Sequence, residues 1–155
     1  MLTPAWPDTT HTDPPTGYLY ASACWLLGRH RQLAELAARV PGVVDVDEDG
    51  PWLDLDALTQ AVNDLDAARA AWRDYADRKP APRDEDAYQA WEDAGSPTPP
   101  AAHAIGVMSR TEQVRLRLLA TLGPSGVRFT VDDLWGFDPA GHALIADWCR
   151  AVQAL

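Results

Sequence analysis

The stretch from Asp45 to Asp56 reads D-V-D-E-D-G-P-W-L-D-L-D, and its interpretation decides the fold of the chain. Apolar and acidic residues alternate here, as they do in strands that bury one face and expose the other. The apolar row contains Val44, Val46, Leu53 and Leu55, and the acidic row contains Asp45, Asp47 and Asp54. Asp49-Gly50 is a pair typical of a tight turn. The pattern predicts a β-hairpin over residues 43–55, followed by a helix that Asp54 or Asp56 caps.

The same residues also have the spacing of a calcium-binding loop. Such loops place side-chain oxygens at positions 1, 3 and 5, glycine at position 6 and a backbone carbonyl at position 7. The stretch therefore resembles the loop of EF-hand proteins, and an aspartate at position 12 before an apolar helix is more similar to dockerin modules. The resemblance implies calcium with five ligands, Asp45, Asp47, Asp49, the Pro51 carbonyl and Asp56. We prefer the hairpin because position 9 is Leu53, which has no side-chain oxygen, and no second such loop occurs.

Charge is unevenly distributed along the 155 residues, whose formal net charge is −10. Between Asp45 and Asp66 there are eight acidic residues and no basic one, whereas residues 103–128 contain four arginines and one acid. Such a distribution repels nucleic acid and attracts cations or basic protein surfaces, although many acidic runs serve only solubility. We expect a protein partner with a basic patch, or a homo-oligomer, and no binding to nucleic acid or membrane.

The composition also indicates where the protein resides. No apolar run approaches the roughly 20 residues that span a bilayer, and the first residues lack the features of a signal peptide. Cys24 and Cys149 stand in apolar helical contexts and are predicted to be buried, reduced thiols. We therefore predict a cytoplasmic protein. A single lysine beside 12 arginines, and 18 aspartates beside five glutamates, are typical of a high-GC actinobacterial genome.

Apolar spacing of three and four predicts helices on both sides of the hairpin. Residues 18–40 are predicted as one continuous helix, which Gly28 could bend or split, and His30 is interpreted as a satisfied boundary histidine. Further helices are predicted over residues 56–78 and 84–94. The predicted organisation is a disordered proline-rich tail (1–16), a helical region with the acidic hairpin (17–94) and a linker (95–102).

The remaining residues, 103–155, are predicted to form a trihelical unit that packs on residues 17–94 as one domain. Helix starts are marked by the Ser109–Glu112 capping box, by Thr130 and by Asp138-Pro139, and residues 127–129 fit only a short strand. This order resembles the front half of a winged-helix domain, although the last helix has few residues that read bases. The predicted fold is mainly α, of the α+β class, with about five helices.

The sequence contains none of the common catalytic or nucleotide-binding motifs, such as G-x-S-x-G, a P-loop, G-x-G-x-x-G or H-E-x-x-H. We therefore expect a small acidic, non-enzymatic protein-interaction module, an adaptor or regulator from an actinobacterium or one of its mobile elements, without a cofactor. Its predicted partner-binding residues are Asp47, Glu48, Asp49, Trp52 and Trp91. The alternatives are a calcium-binding module and a DNA-binding regulator that uses the winged-helix-like unit.

Overall fold

A computed structural model describes residues 4–124 and 126–155, and in these residues the fold is mainly helical with one two-stranded antiparallel sheet. The elements are α1 (Leu19–Arg29), α2 (Arg31–Ala38), β1 (Val44–Asp47), β2 (Gly50–Leu53), α3 (Leu55–Arg78), α4 (Glu85–Asp93), α5 (Arg110–Ala120), α6 (Val131–Leu134) and α7 (Gly141–Gln153). The predicted class, mainly α with one hairpin, is confirmed.

The helix predicted over residues 18–40, which Gly28 could bend or split, is divided into α1 and α2. The chain leaves the helical conformation at His30, whose φ and ψ are −120° and 86°. Gly28 lies where a Cβ atom would overlap the Pro7 carbonyl oxygen, so the N-terminal segment passes directly against this turn. The apolar spacing continues across the break because both helices bury residues in one core, for example Leu26 and Leu33.

The hairpin forms as predicted, with a slightly different turn. Asp45 pairs with Trp52 and Asp47 pairs with Gly50, which leaves Glu48 and Asp49 as the two-residue turn. The Asp47 carboxylate accepts a hydrogen bond from the Asp49 N–H group at 2.9 Å, a local bond that favours a turn. Gly50 is the first residue of β2 and has φ of +121°, a conformation that other residues rarely adopt.

Helix α3 begins at an aspartate cap and has two different halves. Asp54 accepts a hydrogen bond from the Ala57 N–H group at 2.8 Å, which fixes the start of the helix immediately after the hairpin. Its first half buries residues such as Leu58 and Val62 in the core. Its second half is largely exposed and contacts α4 instead, where the Tyr75 and Trp91 rings lie 6.3 Å apart. The apolar face predicted for this helix therefore serves two separate contacts.

The C-terminal helices share the core of the N-terminal ones. Both hydrogen bonds of the predicted capping box between Ser109 and Glu112 are present at the start of α5. Helix α5 packs against α2 and α3, and α7 packs against α1. Helix α7 begins at Gly141, three residues after Asp138, and the Asp138 carboxylate accepts a hydrogen bond from the Gly141 N–H group at 2.8 Å, as a capping aspartate does.

The short strand predicted at residues 127–129 is absent from the described residues. Val127 is buried there, and the Phe129 ring packs against Phe137 and Trp148 at centroid distances of 6.1 and 6.4 Å. The apolar spacing that suggested a strand is used for side-chain packing without a partner strand. The resemblance to a winged-helix unit loses one of its elements as a result.

Residues 4–16 of the segment predicted as a proline-rich tail lie on α1, and residues 1–3 fall outside the described residues. Thr9 donates a hydrogen bond to the Trp25 carbonyl oxygen at 2.6 Å, and the Trp25 indole donates to the Thr12 hydroxyl at 3.1 Å. The Arg29 guanidinium donates to the Thr9 carbonyl oxygen at 3.0 Å. Trp6 packs against the core. Residues 4–16 therefore cover one side of α1.

Candidate functional site: the acidic hairpin surface

The exposed residues of the hairpin form one acidic surface, which we call the hairpin surface and define as Asp45, Asp47, Glu48, Asp49 and Trp52. Successive side chains of a strand point to opposite faces, so Asp45 and Asp47 share a face with Trp52, the cross-strand partner of Asp45. The opposite face places Val44 and Leu53 against the core, whereas Val46, predicted in the same buried row, is 57% exposed. Burial of that apolar face fixes which way the carboxylates point.

Trp52 combines exposure with a place at the edge of an apolar cleft. Its side chain is 39% exposed, and Leu19 and Tyr20 of α1 are 43% and 47% exposed. The cleft beside them has a volume of about 590 Å³. It is lined by Leu19, Tyr20, Trp52, Leu53, Asp54, Leu55, Asp56, Leu122 and Pro124. An apolar cleft thus opens next to the acidic face of the hairpin.

The Tyr20 hydroxyl connects α1 to the hairpin. It accepts a hydrogen bond from the Leu53 N–H group at 3.2 Å, a group that would otherwise be an unpaired donor of the strand. Burial raises the pKa of Tyr20, so the phenol stays neutral at physiological pH and can act in this bond. The wall of the cleft is therefore held in place by a specific contact as well as by packing.

The structure does not gather the five residues predicted as calcium ligands around one point. Asp45 and Asp47 lie on β1, Asp49 lies in the turn, and Asp56 lies in the first turn of α3. No group of three or more His, Cys, Asp or Glu side chains that could hold a metal ion occurs in residues 4–124 and 126–155. The carbonyl of Pro51 belongs to β2, the strand opposite β1. The five proposed ligands are thus divided among two strands, the turn between them and a helix.

Four of the five predicted partner-binding residues lie together, and Trp91 lies elsewhere. Asp47, Glu48, Asp49 and Trp52 all belong to the hairpin surface, whereas Trp91 is on α4 and contacts Tyr75 near the far end of α3. The 20 residues between the start of α3 and Tyr75 correspond to about 30 Å of helix. The predicted set therefore does not form one binding surface.

A buried polar cluster, which the sequence did not reveal, surrounds Asp147 of α7. This residue is 8% exposed, and its carboxylate lies 2.7 Å from Arg29 Nε and 2.9 Å from His30 Nε2. Arg150 contributes a third contact at 3.2 Å. His30 therefore has a partner, as expected for a boundary histidine. The available signal was an aspartate on the apolar face of α7, three residues after buried Leu144.

The environment of this cluster shifts the protonation equilibria of its members. Burial lowers the pKa of His30, and the Asp147 carboxylate opposes that effect only in part. For Asp147, burial acts to raise the pKa, but hydrogen bonds from Arg29 and His30 outweigh it and the pKa is lowered. At neutral pH the cluster thus contains a charged carboxylate, two charged arginines and a neutral imidazole. Its contacts join α1, α2 and α7.

The two cysteines differ in their exposure. Both thiols are free; Cys24 is partly buried, and burial raises the pKa of its thiol. Cys149 is exposed, so the prediction that it is buried is wrong. Helix α7, which the DNA-binding alternative would place in a groove, packs against α1, and its Arg150 pairs with Asp147 and Asp13.

No helix among the residues that the structure describes is both long and apolar enough to cross a membrane. Comparisons of the chain with known protein families, with curated proteins and with solved structures found no match.

Proposed function

We propose that the protein is a small, acidic, non-enzymatic interaction module, an adaptor or regulator, whose hairpin surface binds a basic patch on a protein partner. The observation that supports this proposal best is the position of Trp52, a half-exposed indole between a row of carboxylates and an apolar cleft. Aromatic anchors beside a pocket are typical of the residues that dominate binding energy. The free thiols suit a cytoplasmic location, which is part of the proposal.

Each part of the surface has a distinct role in this proposal. The carboxylates of Asp47, Glu48 and Asp49 lie at the hairpin tip, where they increase the rate of encounter with a positively charged partner. Exposed ion pairs alone contribute little affinity, since their median value is about 0–1 kcal/mol. The affinity therefore depends on Trp52 and the cleft, which remove apolar surface from water when a side chain fills them.

The surface also has the rigidity that favours specific binding. Val44 and Leu53 anchor the hairpin in the core, Tyr20 bonds the backbone of β2, and Asp54 fixes the helix that follows. A partner that binds such a surface loses little free energy in ordering it. The expected partner segment carries lysine or arginine next to one large apolar side chain. A second copy of the chain would have to supply the same combination.

The experiment that tests the proposal compares two triple charge reversals in affinity capture from lysate of the native host. One variant carries Asp47→Lys, Glu48→Lys and Asp49→Lys at the hairpin tip. The matched control carries Glu85→Lys, Asp86→Lys and Glu92→Lys on the exposed α4, which changes the net charge by the same amount. A third variant, Trp52→Ala, removes the apolar anchor without a change in charge. Thermal unfolding of each variant establishes that it folds.

We expect wild type and the α4 control to capture a protein that neither hairpin variant captures. Capture should weaken as salt rises, because the charges of the tip are exposed and screened. The oligomeric state, measured by light scattering, shows whether the partner is a second copy. The proposal fails if the hairpin variants retain the same proteins as wild type, or if wild type is monomeric and retains none.

A further inference from the structure

A second groove lies on the exposed half of α3, away from the hairpin. It has a volume of about 740 Å³ and is bordered by α3 and by the loop of residues 102–107. Its apolar wall includes Leu65, Ala68, Trp72 and Val107. Trp72 and Val107 are 42% and 72% exposed, a large apolar surface for residues on an otherwise charged helix. Exposed apolar surface rimmed by polar residues is a common mark of an interaction site.

The indole of Trp72 is held by neighbouring aromatic rings. It contacts the Tyr75 ring edge-on, with centroids 5.8 Å apart and an interplanar angle of 81°. Tyr75 in turn contacts Trp91, and Trp91 contacts Tyr88 at 5.8 Å. Helix α4 thus packs on Tyr75, the ring that contacts Trp72. A side chain fixed in this way loses little rotamer freedom when a ligand covers it.

Arg69 joins this groove to an adjacent pocket that is rich in arginine. That pocket, of about 480 Å³, lies between α3, α5 and α6 and is lined by Arg69, Arg110, Gln113, Val114, Arg117 and Asp133. Among the described residues, Arg110 makes one hydrogen bond, which is long: it donates to the Asp132 carbonyl oxygen at 3.4 Å. Arg117 reaches Asp66 at 3.3 Å. Arg117 also donates to the Arg128 carbonyl oxygen at 3.4 Å, and Arg69 bonds Gln113 and lies 3.8 Å from Asp66. Of these three arginines, Arg110 therefore keeps the most donors without a partner among the described residues.

The groove and the pocket together are lined by more positive than negative side chains, whereas the whole chain is negatively charged. Four arginines line the groove and the pocket, Arg69, Arg73, Arg110 and Arg117, against two acids, Asp66 and Asp133. Arginine binds carboxylates in a planar, two-point geometry. Tryptophan and arginine are also the residue types most enriched at protein interfaces. The rest of the molecule, with a net charge of −10, disfavours long polyanions such as nucleic acid.

We propose that this groove binds an acidic segment of a protein partner, with an apolar side chain against Trp72 and Val107 and carboxylates paired with Arg69, Arg110 and Arg117. The groove shares no lining residue with the cleft beside Trp52. The protein would then present two surfaces of opposite preference, one for a basic partner and one for an acidic partner. The second surface does not depend on the first, so each proposal can fail alone.

The test ligand is a short fluorescent peptide whose residues are glutamate, except for a leucine at every fourth position. Its binding is measured by fluorescence anisotropy. Two comparison peptides replace the glutamates with lysine or the leucines with alanine. The protein variants are Arg110→Glu and Trp72→Ala, and the matched control is Arg83→Glu, an exposed arginine outside the groove. The full chain is used throughout, and thermal unfolding establishes that each variant folds.

We expect saturable binding of the glutamate–leucine peptide, a rise in Kd of about tenfold or more for Arg110→Glu and for Trp72→Ala, and a change within about twofold for Arg83→Glu. Replacing leucine by alanine should weaken binding, and so should added salt. The proposal is overturned if no saturable binding occurs up to about 1 mM peptide. Equal Kd values for all variants, or tighter binding of the lysine peptide, would also overturn it.

Discussion

At the scale of single residues, Asp147 makes contacts with residues that are far away in the sequence. One carboxylate accepts hydrogen bonds from side chains at positions 29, 30 and 150, so it joins the first and last parts of the chain. Removing one partner of a buried ion pair leaves the other charge without compensation, which lowers the free energy of unfolding. Sequence reasoning could assign His30 to a boundary but not find its partner, because the two lie 117 residues apart.

The protonation of His30 predicts how stability depends on pH. Burial lowers the pKa of His30 in the folded chain below its ordinary value of 6.5, so the unfolded chain binds this proton more readily. Acidification from about pH 7.5 to about pH 5.5 should therefore lower the free energy of unfolding. The charged groups that surround the ring are Arg29, Arg115, Arg150 and the Asp147 carboxylate.

Urea denaturation across that range measures the effect, and His30→Gln supplies the comparison. The variant lacks the titrating group but keeps a donor for Asp147, so its stability should depend less on pH than that of wild type. Equal loss of stability in both proteins would show that His30 does not cause the dependence.

Gly28 gives a second prediction at this scale. In a helix, Gly→Ala normally stabilises by about 0.5–1 kcal/mol, but here the added methyl group would overlap the Pro7 carbonyl oxygen. We expect Gly28→Ala to displace residues 4–16 and to speed hydrogen exchange at the Thr12 amide, which bonds to Thr9. Ala21→Gly, a change of helix propensity on the same helix without this overlap, is the control. Unchanged exchange at Thr12 would contradict the account of this contact.

At the scale of elements, local signals predicted helix starts better than helix continuity. The side chains of Asp54 and Ser109 accept the capping hydrogen bonds that their positions suggested, because a cap depends on residues within one turn. Asp84 caps α4 in the same way. The side chain of His30, where the helix breaks, contacts Asp147 far along the chain, and residues 127–129 have no partner strand among the described residues. Contacts and pairings between distant residues leave no local pattern.

The hairpin geometry predicts that calcium does not stabilise the protein. A ligand that binds the folded state at 100 times its Kd adds about 2.7 kcal/mol to the free energy of unfolding. The five proposed ligands do not converge, so we expect the same melting temperature in calcium and in sodium chloride of equal ionic strength. A calcium-dependent rise that disappears on Asp45→Asn and Asp49→Asn would show instead that the hairpin rearranges into a metal loop.

At the scale of the whole molecule, the unequal distribution of charge becomes two separate surfaces. Period-two alternation predicted that the hairpin acids and Trp52 lie together, since both depend on one pair of strands. The cleft beside Trp52 also needs Leu19 and Leu122, and the arginine pocket needs residues of three helices. Those combinations arise from packing and were not predictable from spacing. Trp91 lies apart from the other predicted partner-binding residues, and its ring contacts Tyr75 of α3.

The proposed function requires that a partner covers the hairpin surface. Hydrogen–deuterium exchange, measured for the free chain and for its complex with the captured partner, tests this requirement. The account predicts slower exchange in the complex for peptides that cover residues 18–20 and 45–56. The exposed α4, over residues 85–93, should exchange equally in both states. Slower exchange that is confined to other segments, with the hairpin unchanged, would contradict the claim.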